Sequence, residues 1–225
     1  MSSLKVRYED LLEFDPITEN QKIAFDLWNE GENLVLAGSA GTGKTFIALY
    51  LALEKMLERS TEFDKIIIIR SVVAVREIGY LPGKLEDKIS VFETPYRAIV
   101  EELFEDKAVY NKLSNNKQVH FETTSFIRGK TFDRSIIIVD EMQNLNFHEL
   151  DSVMTRIGEN SKIIFCGDYL QSDFDREGDR LGIMKFLQII ERMKDISVIQ
   201  FGWDDIVRSG TVRDYIMTKE MLGLR

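Results

Sequence analysis

The sequence predicts an α/β fold with a mostly parallel sheet and helices on both faces. Two observations carry that expectation. Four short apolar runs share one form, NLVLAG, KIIIIRS, SIIIVDE and KIIFCGD, each aliphatic or β-branched and each closed by polar or glycine residues. Unbroken apolarity, as opposed to strict alternation, belongs to strands covered on both faces. Between these runs, positions 46–58, 147–157 and 179–193 carry apolar residues at helical spacing, and strand alternating with helix is the pattern of a parallel sheet. ISVIQFG is expected to add a fifth strand and QVHFET a sixth with a weaker pattern. Sheets of this kind bind ligands beyond the carboxyl ends of their strands, so the polar strand ends are the candidate site positions.

Size and charge bound the rest. A chain of 225 residues with 44% hydrophobic content suffices for one sizeable core. The expectation is a single domain over 1–225, with an excursion at about 71–117 that is long, mixed in charge and interrupted by Pro82 and Pro95. No fixed-period repeat or long linker is present. A net charge of −9 argues against binding nucleic acid over the whole surface and leaves room for a local basic patch. The single cysteine, Cys166, excludes an intramolecular disulfide and falls within an apolar run. MSSLKVRYED lacks the apolar segment of a signal peptide, and the apolar runs are strand-sized, so no membrane partner is expected and the expected setting is cytoplasmic. His120 and His148 have no carboxylate or cysteine at metal-ligand spacing and are read as packing or surface residues.

The chemistry-bearing residues begin where the first strand ends. Gly38, Ser39, Ala40, Gly41, Thr42, Gly43, Lys44 and Thr45 spell G-x-x-x-x-G-K-T between a predicted strand and a predicted helix that opens near Phe46. Glycines let the backbone bend around a triphosphate with its N–H groups pointing inward, and the helix presents its N-terminus to the anion. Lys44 is then expected to reach the β- and γ-phosphates of ATP, and Thr45 to ligate Mg²⁺. SIIIVDEMQN ends a strand in Asp140 and Glu141. An aspartate there holds Mg²⁺, and an adjacent glutamate orients and deprotonates an attacking water. KIIFCGDYLQSD ends another strand in Gly167 and Asp168, with Gln171 three residues later, placed to hydrogen-bond a γ-phosphate or the water. Upstream, Thr18-x-x-Gln21 is a capping box. The Gln21 amide equally suits the N6 and N7 edge of adenine, and local sequence leaves both readings open.

These motifs together resemble the RecA-like core of superfamily 1 helicases. The likeness narrows further, because IRSVVAVREIGYLPGKLEDKI, FIRGKTF, IIIVDEMQN, GDYLQSD and DIVRSGTVRDYI occur in the order seen in PhoH-family ATPases, over 16–216. The resemblance implies a single RecA-like P-loop NTPase domain that hydrolyses ATP and assembles as a homo-oligomeric ring, a hexamer. It also implies that Gln21 contacts adenine, and that the GD-containing strand lies between the strands of the phosphate loop and of Asp140, bringing Gln171 to the γ-phosphate. Met142 departs from the small residue common at that position and lies beyond the two carboxylates. One phosphate loop and no room for a second such domain point to a charge-stabilising arginine from a neighbouring subunit. By resemblance the first candidate is Arg208, with Arg213, Arg176 and Arg180 as alternatives.

Nucleic-acid contact is the remaining expectation. Arg70, Arg76, Lys84 and Lys88 surround Tyr80, and Arg128 and Lys130 precede the Asp140 strand. Basic residues with an aromatic hold phosphates and stack a base of single-stranded RNA or DNA, whereas Glu77, Glu86 and Asp87 dilute the charge toward an ordinary solvated surface. The functional expectation is therefore a Mg²⁺-dependent ATPase coupled to single-stranded nucleic acid in a helicase-like manner. The acidic balance motivates an alternative, a nucleotide-controlled assembly or chaperone-like factor acting on a protein partner.

Overall fold

In the computed structural model the described residues are 5–71, 85–168 and 177–223, with side chains described outside 85–89 and 177–181. Six strands form one sheet: β1 (Asn33–Gly38), β2 (Lys65–Arg70), β3 (Val119–Thr123), β4 (Ser135–Asp140), β5 (Lys162–Gly167) and β6 (Ile196–Phe201). Their order is β3-β2-β4-β5-β1-β6, and every pairing is parallel. The expected run-like strands are the four inner ones. All six residues of β4 are buried, whereas the edge strands β3 and β6 mix buried and partly exposed positions. Apolarity on both faces is thus confined to strands that have a neighbour on each side and helices above and below.

Successive side chains of each strand feed opposite faces. Leu34, Leu36, Ile66, Ile68, Ile136, Ile138, Ile164 and Cys166 pack on one face, with Ala24 and Trp28 of α1 (Glu19–Asn29) and the buried side of α2 (Lys44–Leu57). Val35, Ala37, Ile67, Ile69, Ile137, Val139, Ile163 and Phe165 pack on the other, with α5 (Phe147–Met154) and α6 (Glu177–Ile190). The helix read at 147–157 stops three residues early, because Ile157 bridges to Phe132 and leaves the helical path. The C-terminal α7 (Gly210–Met221) has no buried residue.

The excursion is partly a core layer. Its described portion forms α3 (Leu85–Phe104), which holds Pro95 in its interior, and α4 (Val109–Asn115). Tyr96, Val100, Leu103, Tyr110 and Leu113 from these helices are buried in the first cluster. The mixed charge of this stretch belongs to the outer faces of amphipathic helices. Among the described residues no helix is long and apolar enough to cross a membrane.

The strand order positions the site. β4, β5 and β1 are adjacent, so the carboxyl ends that carry Asp140, Gly167 and Gly38 open side by side. β5 lies between the other two, as the resemblance implied.

Candidate active site

The turn after β1 is held from its flank. Gly38 has φ +125°, and a Cβ there would overlap the Phe201 carbonyl oxygen of β6 and lie 2.8 Å from its carbonyl carbon. The Ser39 N–H donates to that same oxygen at 3.2 Å. Only glycine accepts both the conformation and the approach. Gly41 and Gly43 also have positive φ, and Gly43 is the N-cap of α2. The Thr42 hydroxyl donates to the Ser39 carbonyl at 3.0 Å, and the Val207 N–H donates to the Gly41 carbonyl at 3.0 Å. The loop is thereby closed before α2 begins, and the helix N-terminus faces the cleft.

Lys44 lies inside this loop. Its ammonium donates to the carbonyls of Gly38 at 2.7 Å and Ser39 at 2.6 Å, and to Thr42 Oγ1 at 3.3 Å. Burial lowers the Lys44 pKa, and the negative charges of Asp168, Glu141 and Asp140 act against that shift. The acidic surround offsets part of the burial cost of the ammonium without cancelling it.

Two carboxylates stand opposite. Asp140 is 5% exposed, and both of its oxygens have partners. The Thr45 hydroxyl donates to Oδ1 at 2.9 Å, and the Tyr96 hydroxyl donates to Oδ2 at 2.8 Å. Burial first, then the Asp140 charge, pushes the Tyr96 hydroxyl far above the ordinary phenol range, so it stays a donor. Glu141 takes a left-handed conformation (φ 53°, ψ 45°) immediately after the strand. Its pKa is raised by burial and by Asp140, with Arg70, Gln143 and Lys44 acting in the opposite direction. The Gln143 amide donates to Glu141 Oε2, and its carbonyl oxygen accepts from the Asp168 N–H at 3.0 Å. The strand ends of β4 and β5 are therefore joined through one side chain.

The donor set fits a hard divalent cation. Thr45 and Asp140 offer a hydroxyl and a carboxylate in contact with each other, both oxygen ligands. Among the described residues no group of three or more His, Cys, Asp or Glu is gathered into a cage. Mg²⁺ does not need one, since it is ordinarily held by one or two protein oxygens together with substrate phosphates.

A cleft of about 780 Å³ is lined by these groups and by the apolar residues Phe14, Ile17, Phe46, Ile99 and Val207. Phe46 meets the Phe14 ring edge-on at 5.0 Å between centroids. Gln21 is 1% exposed and lines the same cleft. Its backbone N–H donates to Thr18 Oγ1 at 3.3 Å, which is half of the expected capping box. The other half is displaced by one residue, because Gln21 Oε1 accepts from the Ile17 N–H at 2.9 Å and not from that of Thr18. Gln21 Nε2 donates to the Thr42 carbonyl at 3.3 Å. The amide thus caps α1, braces the phosphate loop and lines the cleft together.

The remaining sequence candidates are dispersed. Ala40, Gly41, Thr42, Gly43 and Thr45 line the cleft, whereas the Ser39 hydroxyl turns to Glu220 of α7 at 3.1 Å. Arg208 lies against its own phosphate loop, its Cγ 2.9 Å from where a Cβ at Gly41 would be, and it lines its own cleft. Arg213 lies farther out, with Nη2 3.4 Å from the Trp203 carbonyl oxygen. Arg70 also lines the cleft, its charge acting on Tyr96 and Glu141, so it faces the carboxylates. Arg128 is exposed, and Lys130 is paired with Glu122 of β3 at 2.6 Å. Gln171, Arg76, Tyr80, Lys84 and Arg176 lie outside the described residues, as do the side chains of Lys88 and Arg180.

Two site residues escaped the sequence reading. Gln143 follows the carboxylate pair by two positions, and its residue type alone carries no signal for the site. Tyr96 is 44 residues from its partner, inside a helical pattern, and no local signal marks it.

A family model described as PhoH-like protein matches residues 13–219. Protein PhoH of Escherichia coli K12 is 32% identical over 183 residues, covering 80% of this chain and 51% of that protein. A PhoH-like protein of Mycobacterium leprae is 30% identical over 203 residues, covering 89% of this chain and 57% of that protein. The chain thus spans about half the length of these curated relatives. Among solved structures, the large terminase of a thermophilic bacteriophage superposes with a TM-score of 0.53 at 12% identity, covering 92% of this chain and 50% of that one. A second crystal form of that terminase, in complex with ADP, superposes with a TM-score of 0.50 at 13% identity. At such identity the likeness concerns the fold alone, that of a RecA-like P-loop domain.

Proposed function

Because the chain belongs to the PhoH-like protein family, we propose that it hydrolyses ATP in a Mg²⁺-dependent reaction within a homo-oligomeric ring, a hexamer, and couples that hydrolysis to single-stranded RNA or DNA. One observation carries the chemistry: Lys44, Thr45, Asp140 and Glu141 face one cleft at the ends of strands β1 and β4, with β5 between them.

The residues divide the work. The apolar lining of Phe14, Ile17 and Phe46 receives the base, and Gln21 reads its edge. Backbone N–H groups of the phosphate loop and the Lys44 ammonium hold the β- and γ-phosphates; the ammonium exchanges its two loop carbonyls for phosphate oxygens. Thr45 and Asp140 hold Mg²⁺, which, when bound, neutralises charge on the phosphate oxygens. Glu141 takes a proton from water as the water oxygen bonds to the γ-phosphorus and the bond to the ADP oxygen breaks. Its raised pKa suits a proton acceptor. Gln143 holds the carboxylate in place. Gln171 reports on the γ-phosphate, by the resemblance stated above.

Arg208 supplies positive charge at the cleft mouth. Its position against Gly41 supports a role within its own chain, and a neighbour in the ring would draw on one of the other arginines. Arg128 is exposed and supports nucleic-acid contact, whereas Lys130, also exposed, is paired with Glu122. The net charge of −9 and the pairing of Lys130 with Glu122 favour a second reading, an assembly factor that acts on a protein partner.

Steady-state phosphate release from ATP separates these readings. Turnover that requires Mg²⁺ and is lost in Lys44→Ala supports the ATPase. Stimulation by single-stranded oligonucleotide at low salt supports the nucleic-acid coupling, and its absence together with absence of binding favours the protein partner.

A further inference from the structure

The Asp140 carboxylate is gripped from two sides by elements remote from each other in sequence. Thr45, on α2, holds Oδ1, and Tyr96, on α3, holds Oδ2. Tyr96 is fully buried and Asp140 nearly so. The α3 face that brings Tyr96 in also brings Pro95 and Ile99 to the cleft wall. One turn earlier on the same helix, the Phe92 ring lies 6.0 Å from the guanidinium carbon of Arg70. Arg70 closes the group from β2, in register with Asp140. A buried phenol needs an acceptor, but any carbonyl of the core would supply one. Its acceptor here is the carboxylate oxygen turned away from Thr45.

We infer that Tyr96 is a positioning residue for the divalent-cation site, fixing one Asp140 oxygen so that the other faces the ion beside Thr45. The inference rests on the Mg²⁺-nucleotide reading proposed above. A carboxylate with one free oxygen rotates about its Cβ–Cγ bond; one with Oδ2 tied to a rigid buried ring does not. Hydrogen bonds of this outer kind ordinarily alter metal affinity by about 10- to 100-fold when removed. Tyr96 thereby makes α3, the helix of the excursion, part of the ion site.

The test uses Mn²⁺ as probe, with free Mn²⁺ read by electron paramagnetic resonance during titration of the ADP-bound protein. Tyr96→Phe removes only the hydroxyl. The expected result is Mn²⁺ affinity weakened about tenfold or more, with ADP affinity in EDTA within about twofold of the parent protein. Tyr110→Phe deletes another buried phenol, in α4, and is expected to leave Mn²⁺ affinity unchanged. Equal Mn²⁺ affinity in Tyr96→Phe and the parent, in protein that melts cooperatively, overturns the inference and leaves the Mg²⁺-nucleotide reading standing. Failure of the parent itself to bind Mn²⁺ with ADP overturns both. If Tyr96→Phe does not fold, fluorotyrosine in the parent chain replaces it. The ¹⁹F resonance of position 96 is expected to shift on adding Mg²⁺ to the ADP-bound protein, with position 110 unmoved, and an unmoved resonance at 96 overturns the inference.

Discussion

Gln143 occupies the space in which a side chain at position 167 would lie. A Cβ on Gly167 would overlap Gln143 Oε1, and would come 2.7 Å from Met142 Cγ and 3.0 Å from the Met142 backbone nitrogen. The absence of a side chain at the end of β5 is what lets Gln143 reach both the Asp168 N–H and the Glu141 carboxylate. Gly167→Ala is expected to destabilise the fold by about 1–3 kcal/mol and to slow turnover by releasing Glu141. In a double-mutant cycle with Gln143→Ala the stability losses are expected to be less than additive, because the second change removes one of the atoms the alanine strikes. Strict additivity of the two melting shifts contradicts the contact.

Glu141→Gln is expected to reduce turnover by about 10²- to 10⁴-fold while preserving nucleotide binding. The same variant has a signature in stability. Burial and Asp140 raise the Glu141 pKa, so the folded chain holds that proton more tightly than the unfolded chain. Stability is then lost as pH rises from the unfolded glutamate value, about 4.3, through the raised folded value. Glutamine carries no such penalty. Thermal melts of Glu141→Gln are expected above those of the parent at neutral pH, with the gap closing toward pH 4. A gap that widens on acidification reverses the sign and removes burial as the cause.

Gln21 separates into two roles by choice of nucleotide. Gln21→Ala leaves the Ile17 N–H and the Thr42 carbonyl without their partner, and a stability loss of about 1–3 kcal/mol is expected. If the amide also reads adenine, ATP affinity falls by more than GTP affinity in the variant. Equal losses for the two nucleotides assign Gln21 to capping and loop support alone. Competition binding with both nucleotides on one preparation decides it.

Arg128 and Lys130 are expected to differ although they are two residues apart. Arg128 is exposed, whereas Lys130 is already paired with Glu122. Arg128→Ala is expected to weaken single-stranded oligonucleotide binding and to lower the magnitude of its salt slope by about 1. Lys130→Ala is expected to do less on both measures. Identical effects, read from binding at several salt concentrations, dismiss the ion pair as a discriminator.

The sequence by itself determined the sheet, most of its helices and the position of the phosphate-loop motif at the end of β1. Those features are written locally: short aliphatic runs closed by polar or glycine residues fit strands covered on both faces, and the G-x-x-x-x-G-K-T spacing between a strand and a helix fits a phosphate loop. Tertiary structure alone decided which distant groups meet. Local spacing carries no record that Tyr96 lies against Asp140, that Gln143 bridges two strand ends, or that the stem of Arg208 rests on Gly41 of its own loop. It also turned Arg70 from a surface candidate into a wall of the cleft, because β2 lies beside β4 and ends at the same level as Asp140. The physical reason is one of range. Propensity, capping and glycine geometry act within a few residues, whereas the polar partner of a buried hydroxyl or carboxylate is chosen by packing, from whatever the sheet order brings into contact.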